Sequence, residues 1–214
     1  MFTGIVEELG QVIGCRPTAT GFDLSVNCKT VLGDTQLGDS IAVNGVCLTV
    51  TELGADSFSA GLAPETRART NLDTLTPGTA VNLERSVTPS TRMGGHFVQG
   101  HVDSTGLIKE FRKDKDALWV SITVPQDLMR YIVTKGYITL DGTSLTVVDT
   151  GEDWFNVTLV AYTQQHIVMP GKSVGDKVNV EVDVLGKYVD KLISHRTNSV
   201  STITPAFLSE NGYD

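Results

Sequence analysis

The chain has 214 residues, with 25 Asp or Glu against 17 Lys or Arg and a formal net charge of -8. This length allows one large or two small domains. The acidic balance, without a long basic run, argues against nucleic acid and membrane partners. No apolar stretch approaches the roughly 20 residues of a membrane span, and residues 1–7 do not resemble a signal peptide. The odd set Cys15, Cys28 and Cys47 predicts a reducing cytoplasm rather than a disulfide framework.

Short β-branched runs separated by turns predict a mainly β chain. The predicted strands cover 26–27, 40–50, 57–62 and 79–87 in the first half, and 98–108, 118–124, 137–148, 154–160 and 177–184 in the second. Asn44-Gly45 and Asp141-Gly142 predict two-residue hairpin turns, because such turns need positive φ at both positions. Short helices are predicted at 64–69 and 125–131, where a proline is followed by an acidic residue.

The two halves of the chain repeat each other. Residues 41–50 (IAVNGVCLTV) return as 138–147 (ITLDGTSLTV), and 78–84 (GTAVNLE) return as 175–181 (GDKVNVE) at the same interval. An interval of this size indicates a duplicated domain rather than a solenoid. We therefore predict two tandem, similar, six-stranded antiparallel β-barrels, over 1–90 and 95–185. Two similar pockets favour a reaction between two similar molecules.

After the second barrel, the spacing of the apolar residues changes. Apolar residues recur at helical spacing and predict a terminal helix over 186–200, which has no counterpart in the first half. Its apolar stripe either packs on its own barrel or associates with another copy. Residues 201–214 are predicted to form a loose tail.

Several polar residues are candidates for chemistry. Cys47 and Ser144 occupy equivalent positions just after the two hairpin turns, where they could hydrogen-bond a heterocycle or attack it. The alternative for Cys47 is an ordinary small core residue. His101 is a candidate general acid or base, or else a structural histidine. Asp183 is a second candidate, or else the N-cap of the terminal helix.

His96 and His101 together also raise the question of a metal site. In a strand, an interval of five residues puts two side chains on opposite faces. No third or fourth ligand lies nearby in the sequence, so no metal site is predicted.

Five motifs in order resemble the riboflavin synthase family, and the resemblance covers roughly residues 1–200. They are MFTGIVE at 1–7, NGVCLTV at 44–50, Glu65-Thr66, GHFVQGHVD at 95–103 and DGTSLTV at 141–147. The resemblance implies a transferase that acts in the final step of riboflavin biosynthesis without metal or cofactor. In that reaction a four-carbon unit passes between two molecules of 6,7-dimethyl-8-ribityllumazine, giving riboflavin and 5-amino-6-ribitylaminouracil.

The resemblance also implies partners. Family members are homotrimers that associate through their terminal helices, with each active site between the first barrel of one subunit and the second barrel of a neighbour. Lumazine synthase is a further implied partner. Two alternatives share the fold. One is a non-catalytic lumazine- or flavin-binding protein, and the other is a flavin reductase, which would need an attached nucleotide-binding domain.

Carried over position by position, the resemblance implies ligand contacts in both barrels. Those of the first barrel are Gly4, Ile5, Val6, Cys47, Leu48, Thr49, Gly61, Leu62, Ala63, Pro64, Glu65 and Thr66. Those of the second barrel are Gly100, His101, Val102, Lys135, Ser144, Leu145, Thr146, Val160, Ala161, Tyr162, Thr163, Gln164 and Gln165. The positions associated with catalysis are Phe2, Ser40, Cys47, His101, Ser144, Thr146 and Asp183.

One segment departs from the family. Ala161 and Tyr162 stand where the family usually has Pro and His. The sequence leaves open which barrel binds the donor of the four-carbon unit and which binds the acceptor. It also leaves open whether the nucleophile is Cys47, Ser144, water or a substrate hydroxyl.

Overall fold

A computed structural model describes residues 1–197 and 205–213, and two closed antiparallel barrels of six strands confirm the predicted fold class. The first barrel contains β1 (Glu8–Pro17), β2 (Phe22–Asn27), β3 (Ser40–Val43), β4 (Val46–Leu53), β5 (Ser57–Leu62) and β6 (Ala80–Arg85), in the closed order β1–β2–β5–β4–β3–β6. The second contains β7 (Ser104–Asp114), β8 (Ala117–Thr123), β9 (Tyr137–Leu140), β10 (Thr143–Thr150), β11 (Trp154–Leu159) and β12 (Lys177–Val182), in the order β10–β11–β8–β7–β12–β9.

Short helices connect the strands. Helix α1 (Pro64–Arg69) follows β5, and α2 (Ala161–Gln164) follows β11 at the equivalent place in the second barrel. Within residues 1–197 and 205–213, four 3₁₀ helices cover Thr30–Leu32, Asn71–Thr74, Gln126–Tyr131 and Met169–Gly171. The helix predicted at 125–131 is therefore a 3₁₀ helix that begins one residue later.

Alternating side chains fill the interior of each barrel. In β11, Phe155, Val157 and Leu159 are fully buried, while the residues between them are partly exposed. Such alternation follows from the two-residue period of a strand. Each barrel has its own large apolar cluster, with Phe58 in the first and Phe155 in the second. Burial of one such side chain stabilises the fold by about 1.5–3 kcal/mol.

The structure adds one strand that the sequence pattern does not predict. Strand β1 turns Gly10 and Val12 inward and leaves Leu9 and Ile13 exposed, so its apolar residues do not mark the buried face. A Cβ on Gly10 would lie 2.5 Å from the Leu83 side chain, which explains why glycine takes an inward position. Strand β7 begins at 104 rather than at the predicted 98. It also turns a glycine inward, since a Cβ on Gly106 would lie 2.6 Å from the Ile122 side chain.

The two predicted hairpin turns are confirmed and contact each other. Asn44 and Gly45 have φ values of 46° and 78°, and Asp141 and Gly142 have values of 46° and 80°. A Cβ on Gly45 would lie 2.6 Å from the backbone nitrogen of Gly142. Glycine in both turns thus permits the backbones of the two barrels to meet.

A buried polar network joins the barrels at these turns. Asn179 Nδ2 donates to the carbonyl oxygen of Asn44, and Asn82 Nδ2 donates to that of Asp141, both over 2.8 Å. Burial raises the pKa of the Asp141 carboxyl, and the ammonium group of Lys172, 3.0 Å away, opposes that shift. Since buried polar groups need partners, this network fixes one barrel on the other.

Residues 1–183 form one compact unit and residues 184–214 a second. The second unit contains α3 (Val184–Thr197) and α4 (Pro205–Glu210). The terminal helix thus begins two residues before the predicted start, and 198–200 lie outside the described residues, as do 201–204 and 214 of the predicted loose tail. The exposed apolar side chains of α3 are Leu185, Tyr188, Val189, Leu192 and Ile193. Among the described residues, no helix has the length and apolarity to cross a membrane.

Candidate active site in two crossed halves

The segment that precedes each barrel docks on the other barrel. The N-terminal segment (residues 2–6) accepts a 2.7 Å hydrogen bond from the backbone nitrogen of Ser144 at the Gly4 carbonyl oxygen. The middle segment (residues 98–102) accepts a 2.9 Å bond from the nitrogen of Cys47 at the Gly100 carbonyl oxygen. Each segment therefore lies against the barrel opposite to the one expected from the sequence, and in this sense the two segments are exchanged.

The apolar contacts of the two segments show the same exchange. Val6 packs against the core of the second barrel, and Val102 packs against the core of the first. Where the segments cross, Phe2 N donates to the Val98 carbonyl oxygen at 2.7 Å, and Val98 N donates back at 3.1 Å. Phe2 and Val98 are buried with Ala42 in a small cluster of their own. The structure thus places Phe2, a predicted catalytic position, in the packing of the crossing point.

Glycine is required where the segments touch the hairpins. Gly4 and Gly100 have φ values of 76° and 78°, in the left-handed region that favours glycine. A Cβ on Gly4 would lie 2.5 Å from Cβ of Ser144, and one on Gly100 would lie 2.6 Å from Cβ of Cys47. Both contacts are closer than real Cβ atoms tolerate, so a larger residue would push the segment off the hairpin.

A buried glutamate holds each segment. Glu84 at the end of β6 accepts hydrogen bonds from the nitrogens of Thr3 and Gly4 at 2.7 and 3.1 Å, and from the Thr3 hydroxyl at 2.8 Å. Glu181 in β12 accepts from the nitrogens of Gln99 and Gly100 at 2.6 and 3.0 Å. Burial raises the pKa of the Glu84 carboxyl to about 7, although the three donated hydrogen bonds oppose this. Each segment is therefore fixed by its own barrel and presented to the other.

The first site is a cavity of about 210 Å³ at the mouth of the first barrel. Six of the predicted contact residues line it together, namely Cys47, Glu65, Thr66, Gly100, His101 and Val102. The Cys47 side chain is half-buried and that of His101 is exposed. Cys47 is a free cysteine, as are Cys15 and Cys28. The first site therefore combines a thiol from one barrel with an imidazole carried by the middle segment.

The second site surrounds Ser144 in the second barrel. His96 Nδ1 lies 2.7 Å from Ser144 Oγ, and its Nε2 lies 3.2 Å from Thr139 Oγ1. The imidazole also stacks on the Tyr137 ring, with centroids 5.0 Å apart. Burial lowers the pKa of His96, and the nearby charge of Asp183 acts against that shift. Burial therefore favours the neutral form of this hydrogen-bonded imidazole.

His96 was not among the residues expected at the site. Its partners lie more than 40 positions further along the chain, so no local pattern connects them. One sequence signal does precede it. A Cβ on Gly95 would clash with the Thr3 carbonyl oxygen and lie 2.9 Å from Ser144 Oγ, so this glycine marks the close approach of the chain to the site.

Lys135 lies at the start of the β9–β10 hairpin in a left-handed conformation with a φ of 67°, where its counterpart Gly38 has a φ of 91°. Lys135 and Gly38 donate equivalent backbone hydrogen bonds, to Val147 and Val50. A residue with a side chain costs roughly 1–2 kcal/mol in this conformation. Strained residues cluster at functional sites, so Lys135 stays a predicted ligand contact.

The remaining predicted residues fall into three groups. The side chains of Leu48, Leu62 and Leu145 belong to the barrel cores, which leaves only their backbone for contact with a ligand. Ser40 lines a separate cavity of about 710 Å³, together with Thr3, Ile5 and Ser86. The exposed positions are Thr49, Gly61, Ala63, Pro64, Thr146, Val160, Ala161 and Tyr162, whereas Thr163 is half-buried beside them.

The second-barrel rim at 160–165 differs chemically from its counterpart. Tyr162 stacks on His166, with ring centroids 4.1 Å apart, whereas Glu65 forms an ion pair with Arg69 at the equivalent place on α1. Gln164 Nε2 donates to the Leu159 carbonyl oxygen at 2.8 Å, and Gln165 N donates to the Tyr162 carbonyl oxygen at 3.2 Å. Across residues 1–197 and 205–213, no cluster of three His, Cys, Asp or Glu side chains is placed to hold a metal ion.

Comparison with known proteins decides the family. The lumazine binding domain model matches twice, at residues 3–86 and 99–183. The chain is 48% identical over 196 residues to the riboflavin synthase of Schizosaccharomyces pombe, covering 90% of this chain and 94% of that protein. It is 42% identical over 216 residues to the riboflavin synthase of Bacillus subtilis, covering 100% of each. The chain belongs to the riboflavin synthase family. This confirms the resemblance seen in the sequence.

Solved structures show the same fold. LumP complexed with 6,7-dimethyl-8-(1'-D-ribityl) lumazine superimposes with a TM-score of 0.77 at 22% identity, covering 85% of this chain and 99% of that one. LumP complexed with riboflavin gives a TM-score of 0.79 at 22% identity, with the same coverage. The double barrel is thus shared with proteins crystallised with a lumazine and with a flavin.

Proposed function

We propose that this chain catalyses the dismutation of two molecules of 6,7-dimethyl-8-ribityllumazine. A four-carbon unit passes from one molecule to the other, which gives riboflavin and 5-amino-6-ribitylaminouracil. The observation that carries the proposal is the pair of crossed sites in a chain of this family, one around Cys47 and one around Ser144. Two related sites suit a reaction in which two copies of one substrate meet.

Differences between the sites support opposite roles for the two substrates. The first site has Cys47 and His101, whereas the second has Ser144 with His96, and the counterpart of His101 in the repeat is the apolar Ile5. One substrate must lose a proton and the other must accept a carbon unit, so identical sites would not serve. Good orientation of two reactants lowers a barrier by about 7–11 kcal/mol.

The assembly that we propose is a homotrimer in the cytoplasm, with each first site facing the second site of a neighbouring subunit. Exposed apolar side chains on α3, such as Tyr188 and Leu192, support association through this helix. The three free cysteines agree with a reducing compartment. Association with lumazine synthase, which would supply the substrate, is part of the same proposal. Sedimentation of the full chain and of a chain ending at Asp183 measures the contribution of the helix.

The decisive experiment mixes the purified chain with the lumazine and no added cofactor. Riboflavin fluorescence should rise while one riboflavin forms for every two lumazines consumed. The second candidate is a non-catalytic lumazine- or flavin-binding protein, which the similarity to the LumP complexes favours. Tight binding of the lumazine without product would select that candidate, and absence of both binding and product would refute both.

A further inference from the structure

The lengths of the two hydrogen bonds of His96 allow a direction to be assigned to its contact with Ser144. The 2.7 Å separation of Nδ1 and Ser144 Oγ is typical of a hydroxyl that donates, whereas the 3.2 Å separation of Nε2 and Thr139 Oγ1 fits an N–H donor. A neutral imidazole has one N–H and one acceptor nitrogen. Both observations are satisfied together if Nε2 carries the hydrogen and Nδ1 accepts from Ser144.

The imidazole is fixed in this orientation from several sides. His96 is 7% exposed, and its ring lies nearly parallel to that of Tyr137, with an interplanar angle of 12°. Thr139, at the other nitrogen, is 1% exposed and lies in β9 beside Tyr137. The backbone nitrogen of His96 also donates to the Thr3 carbonyl oxygen at 3.1 Å. Rotation of the ring would therefore break its contacts with Tyr137, Thr139 and Ser144, while the backbone bond to Thr3 holds the residue in place.

This arrangement distinguishes the two sites. In the part of the chain that the structure describes, the Cys47 thiol makes no hydrogen bond with an imidazole, whereas the Ser144 hydroxyl does. A serine hydroxyl has one hydrogen and two lone pairs. With its hydrogen directed to His96, Ser144 can present only lone pairs to a ligand.

We propose that His96 is a positioning residue that fixes Ser144 Oγ as a hydrogen-bond acceptor for the lumazine in the second site. This inference rests on the proposed function. It gives the second site a preference for a ligand edge that bears an N–H group, and it leaves the first site with a thiol that is not oriented in this way. The two otherwise similar sites thus hold the same heterocycle with different partners, which is what opposite roles require.

The first test is spectroscopic and needs no variant. Nitrogen-15 NMR of the intact chain labelled at histidine should show His96 with a protonated Nε2 and an unprotonated, hydrogen-bonded Nδ1. A protonated Nδ1 would overturn the proposal, because Ser144 would then be the acceptor within the protein. This measurement does not depend on turnover, so it remains informative if the chain makes no riboflavin.

The second test uses substitutions that separate the two nitrogens. In His96→Asn the amide oxygen stands near the position of Nδ1 and can accept from Ser144, whereas His96→Gln places its amide near Nε2. We expect kcat to fall about 10-fold to 100-fold in His96→Gln and His96→Ala, and to stay within about threefold of the parent in His96→Asn. Equal losses in all three variants would refute the proposal.

A double-mutant cycle supplies the matched control. In a Ser144→Ala background, His96→Ala should have little further effect on kcat or on lumazine affinity, whereas in a Cys47→Ala background its full effect should persist. Independent effects of His96 and Ser144 would overturn the proposal. Lumazine affinity, measured by its fluorescence, does not require turnover. It therefore distinguishes failure of this inference from failure of the proposed reaction.

Discussion

Replacing Glu181 by Gln should weaken the first site and spare the second. The carboxylate lies in β12 of the second barrel, yet it holds the middle segment that carries His101 to Cys47 in the first barrel. The substitution keeps the size of the side chain and removes its charge. Any effect on the first site must therefore pass through the position of the middle segment.

The size of the effect follows from two hydrogen bonds. Glu181 is 2% exposed and accepts from the nitrogens of Gln99 and Gly100 at 2.6 and 3.0 Å. A Gln amide has one acceptor oxygen, so one of these N–H groups would face an NH₂ group. A hydrogen bond to a charged group contributes about 1.5–3 kcal/mol. We expect the ordered middle segment to lose about 2 kcal/mol, which is about thirtyfold in its population.

The assay measures riboflavin formation and lumazine affinity in parallel. In Glu181→Gln, kcat/KM should fall at least about tenfold and affinity should fall at the first site, because His101 is no longer held there. The matched variant is Glu84→Gln, which loosens the N-terminal segment and should weaken the second site instead. Loss at the second site in Glu181→Gln, or equal loss at both, would refute the crossed arrangement as the cause.

Three further predictions concern strain, a buried ion pair and pH. Lys135→Gly should relieve the left-handed backbone, so the free energy of unfolding in urea should stay level or rise by up to about 1 kcal/mol while turnover falls about tenfold or more. Lys172→Met should cost about 3–5 kcal/mol by stranding the buried Asp141 carboxylate, and adding Asp141→Asn should restore most of that loss in urea unfolding. The pKa of Glu84 is raised from 4.5 to about 7 in the folded state, so its protonated form stabilises the fold at low pH. The unfolding free energy of the parent relative to Glu84→Gln should therefore decrease by about 3 kcal/mol as pH rises from 4.5 through 7. If the free energy does not decrease over this range, the shift in pKa is refuted.

The strands with apolar residues on their buried face could be predicted from the sequence. A strand with glycine at a buried position could not, because the alternation of apolar and polar residues is interrupted there. Phe155, Val157 and Leu159 alternate with polar residues, so β11 could be recognised from its period alone. Strand β1 could not, because its inward positions include Gly10, which is small enough to let the Leu83 side chain approach. The close packing of a barrel interior depends on neighbouring strands, and a local pattern does not contain that information.

The candidate site was predictable as a set of residues and not as an arrangement. Cys47 and Ser144 were recognised because the repeated hairpins mark them. The exchange of the two segments was missed, because local sequence patterns do not specify which barrel receives a segment. Gly4 and Gly100 are the sequence features related to this exchange, since both have a left-handed backbone where the segment touches a hairpin. A glycine in the sequence, however, does not show which residue it will contact.

The exchange changes how the duplicated barrels could have acquired different roles. Because the N-terminal segment docks on the second barrel through Gly4 and Val6, a substitution at either residue alters the surroundings of Ser144 in the other repeat. Likewise, His101 in the second repeat lines the cavity around Cys47 in the first. Neither repeat therefore contains a complete site, and each site combines residues from both. Under the proposed function, two sites for the same heterocycle could thus diverge by single substitutions in the segments, while the two barrels stayed alike.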